Sequence, residues 1–444
     1  MSKKYFGTDG VRGSVGADPM SAEFALRLAS AAAQVLVPEG GSVLIGKDTR
    51  LSGYMFESAL EAGFVAAGAD VLLLGPLPTP GIAYMTQKFN ADLGVVISAS
   101  HNPYYDNGIK FFDGEGSKLS DEVEKKIEKL LKKPAITLES RKLGQAKRID
   151  SARIMYQEFC AKTFPADLDL DGMKVVFDGA NGAGYKVGPR TLNDLGADVV
   201  TIGCSPNGRN INDGCGSTSP QLLQKTVPAV EANVGIALDG DGDRVVMVDE
   251  RGEIVDGDQL LYILARAKKE EGKLKGPVVG TVMSNLGLEH ALKDHGIEFK
   301  RASVGDRYVL ETLRQTGGII GGETSGHMIC LDQTTTGDGL VVALQILAVM
   351  KRTGAPLSKL AAGMARYPQK LLNVPTGKRL DIDSHPTIRD AVSQAESELA
   401  DAGRVVLRAS GTEPVIRVMV EGRDENQVLT VAKRLASVVA EAAA

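Results

Sequence analysis

The sequence predicts an α/β protein of four domains: three related α/β domains with mixed sheets, then a smaller C-terminal α+β domain. Three observations predict it. The chain has 444 residues, too many for one core and enough, by length alone, for about three domains. A strand–loop–helix–strand unit recurs three times, each helix closed by a glycine: Val43–Gly75, Val175–Gly203 and Val278–Ala302. Strands joined by crossover helices pair in parallel or mixed sheets. After Tyr367–Pro375 the pattern changes to a short segment with two strand signals and one long helix.

In chain order, Gly7-Thr-Asp-Gly-Val-Arg-Gly13 sets Arg12 among glycines, whose exposed N–H groups let a backbone approach an anion. A helix follows over Ser21–Val37, with Phe24, Leu28, Ala31 and Val35 at helical spacing as core. Ser120–Lys133 is a second well-marked helix, acidic in its first turn and stopped by Lys132-Lys133-Pro134. Leu138–Asp150 is polar and reads as an interdomain connection; further junctions fall near Glu253–Asp258 and Tyr367–Pro375. The expected domains are 1–155, 156–255, 256–367 and 368–444. In the last, strands are expected at Val405–Leu407 and Ile416–Glu421 and a helix over Glu425–Ala440.

Bulk properties exclude several classes. A net charge of −5 leaves neither a nucleic-acid footprint nor a polybasic membrane patch. No apolar run approaches the ~18 residues of a membrane span, and Met1-Ser-Lys-Lys-Tyr-Phe-Gly7 carries no apolar signal segment. Cys160, Cys204, Cys215 and Cys330 lack metal-site or disulfide spacing. A cytoplasmic protein acting on small molecules is expected.

The chemistry concentrates in four stretches. In Val95-Val-Ile-Ser-Ala-Ser-His-Asn-Pro103 a buried β-branched strand empties into small residues and a turn, delivering the Ser100 hydroxyl at a strand's carboxyl end. A serine hydrolase is the rival reading, but the G-x-S-x-G elbow is missing. His101 follows immediately, so its ring diverges from the hydroxyl it would have to serve. Lys110, in Asn107-Gly-Ile-Lys-Phe111, is placed to meet a group carried by Ser100.

Asp239-Gly-Asp-Gly-Asp-Arg244 sets three carboxylates between two apolar strands. Like charges ~4 Å apart repel by roughly 4 kcal/mol per pair at an effective dielectric near 20, so the cluster calls for a cation. Oxygen ligands favour Mg²⁺, Mn²⁺ or Ca²⁺ over zinc. Asp239, Asp241, Asp243 and Glu250 match positions 1, 3, 5 and 12 of a calcium loop, but Arg244 occupies its turn glycine and the flanks are strands. In Gly321-Gly-Glu-Thr-Ser-Gly-His327, Glu323, Ser325 and His327 alternate, so an extended segment would turn all three to one side to meet sugar hydroxyls. Arg408 and Arg417 bracket Ser410, Gly411 and Thr412 in a turn, an arrangement suited to phosphate.

These four stretches, in this order, resemble the α-D-phosphohexomutase family over essentially the whole chain. Lys4–Gly13, Asn210–Thr218, Val304–Tyr308 and Thr335–Leu340 are most similar to its bacterial branch acting on glucosamine phosphates. The resemblance implies four domains around a central cleft, the fourth like a TATA-binding protein. It implies a phosphoryl group on Ser100, and one Mg²⁺ held by Asp239, Asp241, Asp243 and a phosphoserine oxygen. Glu323 and Ser325, with His327 in the same loop, would bind the sugar. Arg408, Ser410, Gly411, Thr412 and Arg417 would hold the non-reacting phosphate. Arg12, His101, Lys110 and Arg244 would line the reaction centre.

The implied activity is interconversion of glucosamine 6-phosphate and glucosamine 1-phosphate, through a 1,6-bisphosphate that also serves as activator, feeding UDP-N-acetylglucosamine and cell-wall synthesis. The rivals are a mannose/glucose-phosphate mutase and a metal-dependent sugar-phosphate phosphatase. Thr324 departs from the family pattern, standing where Gln is expected in one branch and Met in the other. A homodimer is compatible with the sequence, as are autophosphorylation and an activating kinase.

Overall fold

The structure is a computed structural model describing residues 4–7, 9–376, 382, 385–409 and 415–443. Among the described residues, eighteen strands form four sheets. The first contains β1 (Val11–Ser14), β2 (Ser42–Lys47), β3 (Asp70–Pro76), β4 (Leu93–Ile97), β5 (Asp106–Asp113) and β6 (Ala146–Arg148), in the order β1-β5-β4-β2-β3-β6. The second contains β7 (Lys174–Asp178), β8 (Asp198–Ile202), β9 (Val234–Leu238), β10 (Val245–Val248) and β11 (Ile254–Val255), ordered β11-β10-β9-β7-β8. The third contains β12 (Val278–Thr281), β13 (Phe299–Ala302), β14 (Ile320–Gly322) and β15 (Met328–Cys330), ordered β13-β12-β14-β15.

The three repeats are real structural units. In each, the helix (Ser52–Ala66, Val187–Asp194 or Leu286–Asp294) joins two strands that lie side by side in parallel: β2 with β3, β7 with β8, β12 with β13. The glycines that end them, Gly68, Gly196 and Gly296, all have positive φ, the left-handed exit that stops a helix. Antiparallel strands make all three sheets mixed: β5, β10 and β15 run against β4, β9 and β14.

The fourth sheet is antiparallel, β16 (Gln369–Pro375), β18 (Val415–Gly422) and β17 (Gly403–Ala409) in spatial order. Alternate residues Ile416, Val418 and Val420 face a core completed by Ile388 and Leu399 of the helix Pro386–Leu399, and by Val428, Val431 and Leu435 of the helix Glu425–Ala443. The C-terminal domain thus has its own core, whereas one apolar cluster runs from Leu44 through Phe177 and Met247 to Leu344, joining the first three domains.

Two segments read as connections are strands. Ala146–Arg148, inside the presumed linker, pairs in parallel with Val71–Leu73 as β6. All three residues are exposed, so this edge strand carries no apolar alternation. Gln369–Pro375 pairs along its whole length with β18, and Pro375 merely ends it. The chain leaves the first sheet through a helix, Ala152–Thr163, which runs across residue 155. Among the described residues no helix is long and apolar enough to cross a membrane.

Candidate active site

Ser100 stands in the turn after β4 with φ +50°, left-handed backbone that a non-glycine residue adopts only when its surroundings impose it. Its hydroxyl is buried and donates to Asp239 Oδ2 at 2.6 Å, and its N–H donates to Ser98 Oγ at 2.9 Å.

Asp239, Asp241 and Asp243 follow β9 directly and are all buried. Their carboxylate oxygens lie within 4.8 Å of one another. Gly240 permits the approach, since a Cβ there would sit 2.6 Å from the Ser100 carbonyl oxygen. Lys110 Nζ donates to Asp241 Oδ2 at 2.9 Å and lies 3.0 Å from Asp9 and 3.8 Å from Asp243. Thr79 Oγ1 donates to Asp241 at 2.7 Å, and the Arg244 N–H to Asp239 Oδ1 at 3.1 Å.

Burial pushes the Asp239 carboxyl well above the ordinary range, and its neighbours Asp243 and Asp241 add to this. Burial acts on Asp241 as well, but the charge of Lys110, the hydrogen bonds from Thr79 and Lys110 and the charge of Arg12 together overcome it and hold that carboxyl low. Lys110 is raised because Asp241, Asp9 and Asp243 together overcome its desolvation. The buried oxygens Asp241 Oδ1 and Asp243 Oδ1 make no hydrogen bond. Orphaned carboxylate oxygens in an oxygen-only set fit a hard divalent cation.

Around this cluster the His101 ring does not diverge from its neighbour as an extended strand would require: Ser100 is left-handed, and His101 Nδ1 lies 3.4 Å from Ser100 Oγ. Burial, then the charges of Arg244 and Arg12, pull its pKa down to about 4, so it is neutral at physiological pH. Arg12 is paired with Asp9, and Arg244 Nε lies 3.9 Å from Asp243.

The Glu323–His327 segment is a turn between β14 and β15, closed by Glu323 N–H to His327 O and Gly326 N–H to Glu323 O, both 2.9 Å. An extended segment presenting its alternate residues on one side is therefore not what forms. Ser325 is exposed and Glu323 half-buried, accepting from the Gly305 N–H at 2.9 Å. His327 turns back to lie buried between Asp243 at 3.6 Å and Asp306 at 3.5 Å. Burial opposes its protonation, but those two carboxylates raise its pKa to about 9. Thr324 points away from its neighbours and donates to the buried Asp258 at 2.7 Å.

Arg408 and Arg417 are direct cross-strand partners on β17 and β18. Burial and then the charge of Arg417 lower the Arg408 pKa. Ser410, Gly411 and Thr412 lie outside the described residues. This hairpin belongs to the separate C-terminal domain, tied to the third domain by Arg404, which donates to the Val282 and Ser284 carbonyl oxygens at 2.9 and 2.6 Å.

Sequence reasoning missed the charges that complete the site. Lys118 bridges Asp9 of the first domain and Asp306 of the third. Arg50, fully buried, reaches the backbone of Ser100 and Asn102. Arg50 lies in the repeat unit Val43–Gly75 and Asp306 in Val304-Gly-Asp-Arg-Tyr308, which was the available signal, whereas Lys118 falls in no stretch that the sequence singled out.

The chain matches four family models in succession: phosphoglucomutase/phosphomannomutase α/β/α domains I (residues 3–136), II (155–252) and III (256–367), and the C-terminal domain (371–438). It is 57% identical over 441 residues to the phosphoglucosamine mutase of Nitrosococcus oceani, covering 99% of this chain and 98% of that one. It is 56% identical over 444 residues to the phosphoglucosamine mutase of Methylococcus capsulatus, covering 100% and 99%. Its fold is shared with a phosphoglucomutase/phosphomannomutase family protein of Burkholderia thailandensis, at TM-score 0.82 and 23% identity over 98% and 97% of the two chains. A serine hydroxyl set against three convergent aspartates thus stands within four matched domains, and the chain belongs to the α-D-phosphohexomutase family of phosphoglucomutases and phosphomannomutases.

Proposed function

We propose that this protein interconverts glucosamine 6-phosphate and glucosamine 1-phosphate through a phosphoserine at position 100. The observation that carries the reading is the Ser100 hydroxyl 2.6 Å from Asp239, within a cluster of buried carboxylates. Full-length relatives of that name at 56–57% identity support the choice of sugar.

In this reading phosphoserine 100 transfers its phosphoryl group to the free hydroxyl of the sugar phosphate. The new P–O bond forms as the serine Oγ–P bond breaks, giving a hexose 1,6-bisphosphate. The bisphosphate turns end for end and its other phosphate returns to Ser100. Asp239, Asp241 and Asp243, with an oxygen of the phosphoserine, would hold Mg²⁺, which supplies positive charge against the transferring group.

Lys110 adds a second cation from the sheet below. Arg12 and Arg244 line the same centre, and His101, uncharged at neutral pH, offers a proton acceptor beside Ser100. Glu323 and Ser325 receive the sugar hydroxyls, with His327 held cationic on the inner side of their turn. Arg408 and Arg417, with Ser410, Gly411 and Thr412, anchor whichever phosphate is not reacting. That distal anchor suits a mutase, whose substrate must bind in two orientations, and is superfluous to a phosphatase. Added glucosamine 1,6-bisphosphate restores the phosphoserine whenever the intermediate escapes.

Parallel assays of glucosamine, glucose and mannose phosphates with Mg²⁺ test the reading. Isomerisation is expected to be fastest with the amino sugar and to be abolished in Ser100→Ala. Release of inorganic phosphate in place of an isomer, or turnover by Ser100→Ala within tenfold of wild type, overturns it.

A further inference from the structure

The loop carrying Ser100 is gripped from two domains. From the first, Arg50 is fully buried and its guanidinium donates to the Ser100 carbonyl oxygen at 3.2 Å and to that of Asn102. From the second, Asn212 Nδ2 donates to the same two oxygens at 2.9 and 3.1 Å. Asp48 holds the guanidinium from behind, accepting from Arg50 Nη1 and from the Arg50 N–H at 2.9 Å. Ser98 donates its hydroxyl to Asp48 and accepts the Ser100 N–H. The N–H and C=O of Ser100 are thus both tied into one buried network.

We propose that Arg50 and Asn212 are a two-domain clamp of positioning residues, which holds Ser100 in its left-handed conformation and aims its hydroxyl at the aspartate cluster. The inference rests on the mutase reading above. Left-handed backbone is costly for a non-glycine residue, so the native turn needs several bonds to impose it. Two carbonyl oxygens and a carboxylate around one planar group match the fork of an arginine and cannot be met together by a lysine. A pair with Asp48 alone would not require this placement, since a buried ion pair is seldom cheaper than apolar packing.

The docking that brings Asn212 into place has its own bonds: the Leu51 N–H donates to Gly208 O at 2.9 Å, and Thr49 Oγ1 donates to Asn181 O. The geometry of the nucleophile is therefore completed only when the second domain's loop is seated on the first.

The test uses the full-length enzyme with Mg²⁺, charged with radiolabelled glucose 1,6-bisphosphate so that rates are expressed per phosphorylated Ser100. Arg50→Lys is expected to lower kcat by about 10- to 100-fold, and Asn212→Gly by about tenfold, with KM for glucosamine 6-phosphate within about twofold of wild type. Glycine keeps the positive φ of +58° at position 212 available, so backbone strain does not enter. Asn212→Asp, nearly isosteric but offering only acceptors to two carbonyl oxygens, is expected to fall further than the glycine variant. The double variant Arg50→Lys/Asn212→Gly is expected to lose less than the product of the single losses.

A purely structural role would lower the thermal midpoint and the labelled fraction, leaving kcat per labelled site unchanged. Values within twofold of wild type in both Asn212 variants overturn the clamp, and they decide the matter alone if Arg50→Lys does not fold. Activity surviving in Ser100→Ala would instead overturn the mutase reading, so the two failures are separable.

Discussion

Replacing Asp239 by Asn should stabilise the metal-free protein and destroy its response to magnesium. The three carboxylates converge within 4.8 Å, where one like-charge pair costs about 3.5 kcal/mol at an effective dielectric of 20. Removing the Asp239 charge eliminates two such pairs and forfeits its attraction to Arg244 and the Ser100 bond to an ionised acceptor. The net gain for the metal-free protein is then about the size of one pair, ~3 kcal/mol. Asn can keep its oxygen for the Arg244 N–H and turn its amide to the Ser100 hydroxyl, which accepts as well as donates, so packing changes little. In wild type, Mg²⁺ at about 100 times its Kd should add ~2.7 kcal/mol, whereas the variant has lost one of three anionic ligands. The assay is thermal unfolding of both proteins in EDTA and in saturating MgCl₂. The curves should cross over: the variant melts higher in EDTA, and wild type gains with Mg²⁺ while the variant does not. A variant that melts below wild type in EDTA, or shows the full magnesium shift, would refute both the electrostatic argument and the ligand assignment.

Arg417→Ala should weaken sugar-phosphate binding by about 1.5–3 kcal/mol, read as a raised KM for glucosamine 6-phosphate, and unchanged kinetics would remove it from the anchor. Arg404→Ala should loosen the C-terminal domain, because it removes the ion-pair partner of the fully buried Glu421 carboxylate and the donor to the Val282 carbonyl oxygen, while Ser284 O keeps only Arg301. Breaking such a pair costs about 3–5 kcal/mol, so limited proteolysis should release the region after residue 367 faster than in wild type. Asp338→Asn tests a pH effect. Burial raises the Asp338 carboxyl from 3.8 to about 6, so the folded state retains a proton that the unfolded chain has lost. Its contribution to stability is therefore greatest below about pH 4 and declines as pH rises to about 6. Asn still caps the Leu340 and Val341 N–H groups, so urea denaturation should show a gain of up to ~3 kcal/mol at neutral pH and almost none near pH 4. Equal shifts at both pH values would refute it.

The parts legible in the sequence are those in which a local signal coincides with a local cause. Three helices ended by glycine exits, an apolar run at β4 buried on both faces, and aspartates alternating with glycines all write their geometry into a few consecutive residues. What stayed hidden depends on partners far along the chain. β6 belongs to the first sheet through its backbone bonds to β3, while its exposed side chains carry no sign of it. Lys118 matters because Asp9 and Asp306 flank it, residues 109 and 188 positions away. The misread turn is more instructive, since the signal was present. Gly326 has φ +89°, and a Cβ there would lie 2.0 Å from the Val245 carbonyl oxygen, so this glycine both turns the chain and seats it against β10. A two-residue alternation carries meaning only in an extended segment. Once Gly326 breaks that extension, His327 is free to leave Ser325 at the surface and join Asp243 beneath it. Ser100 meets the aspartates through a glycine too, but one in the partner loop: the absent side chain of Gly240 is what lets the two loops touch.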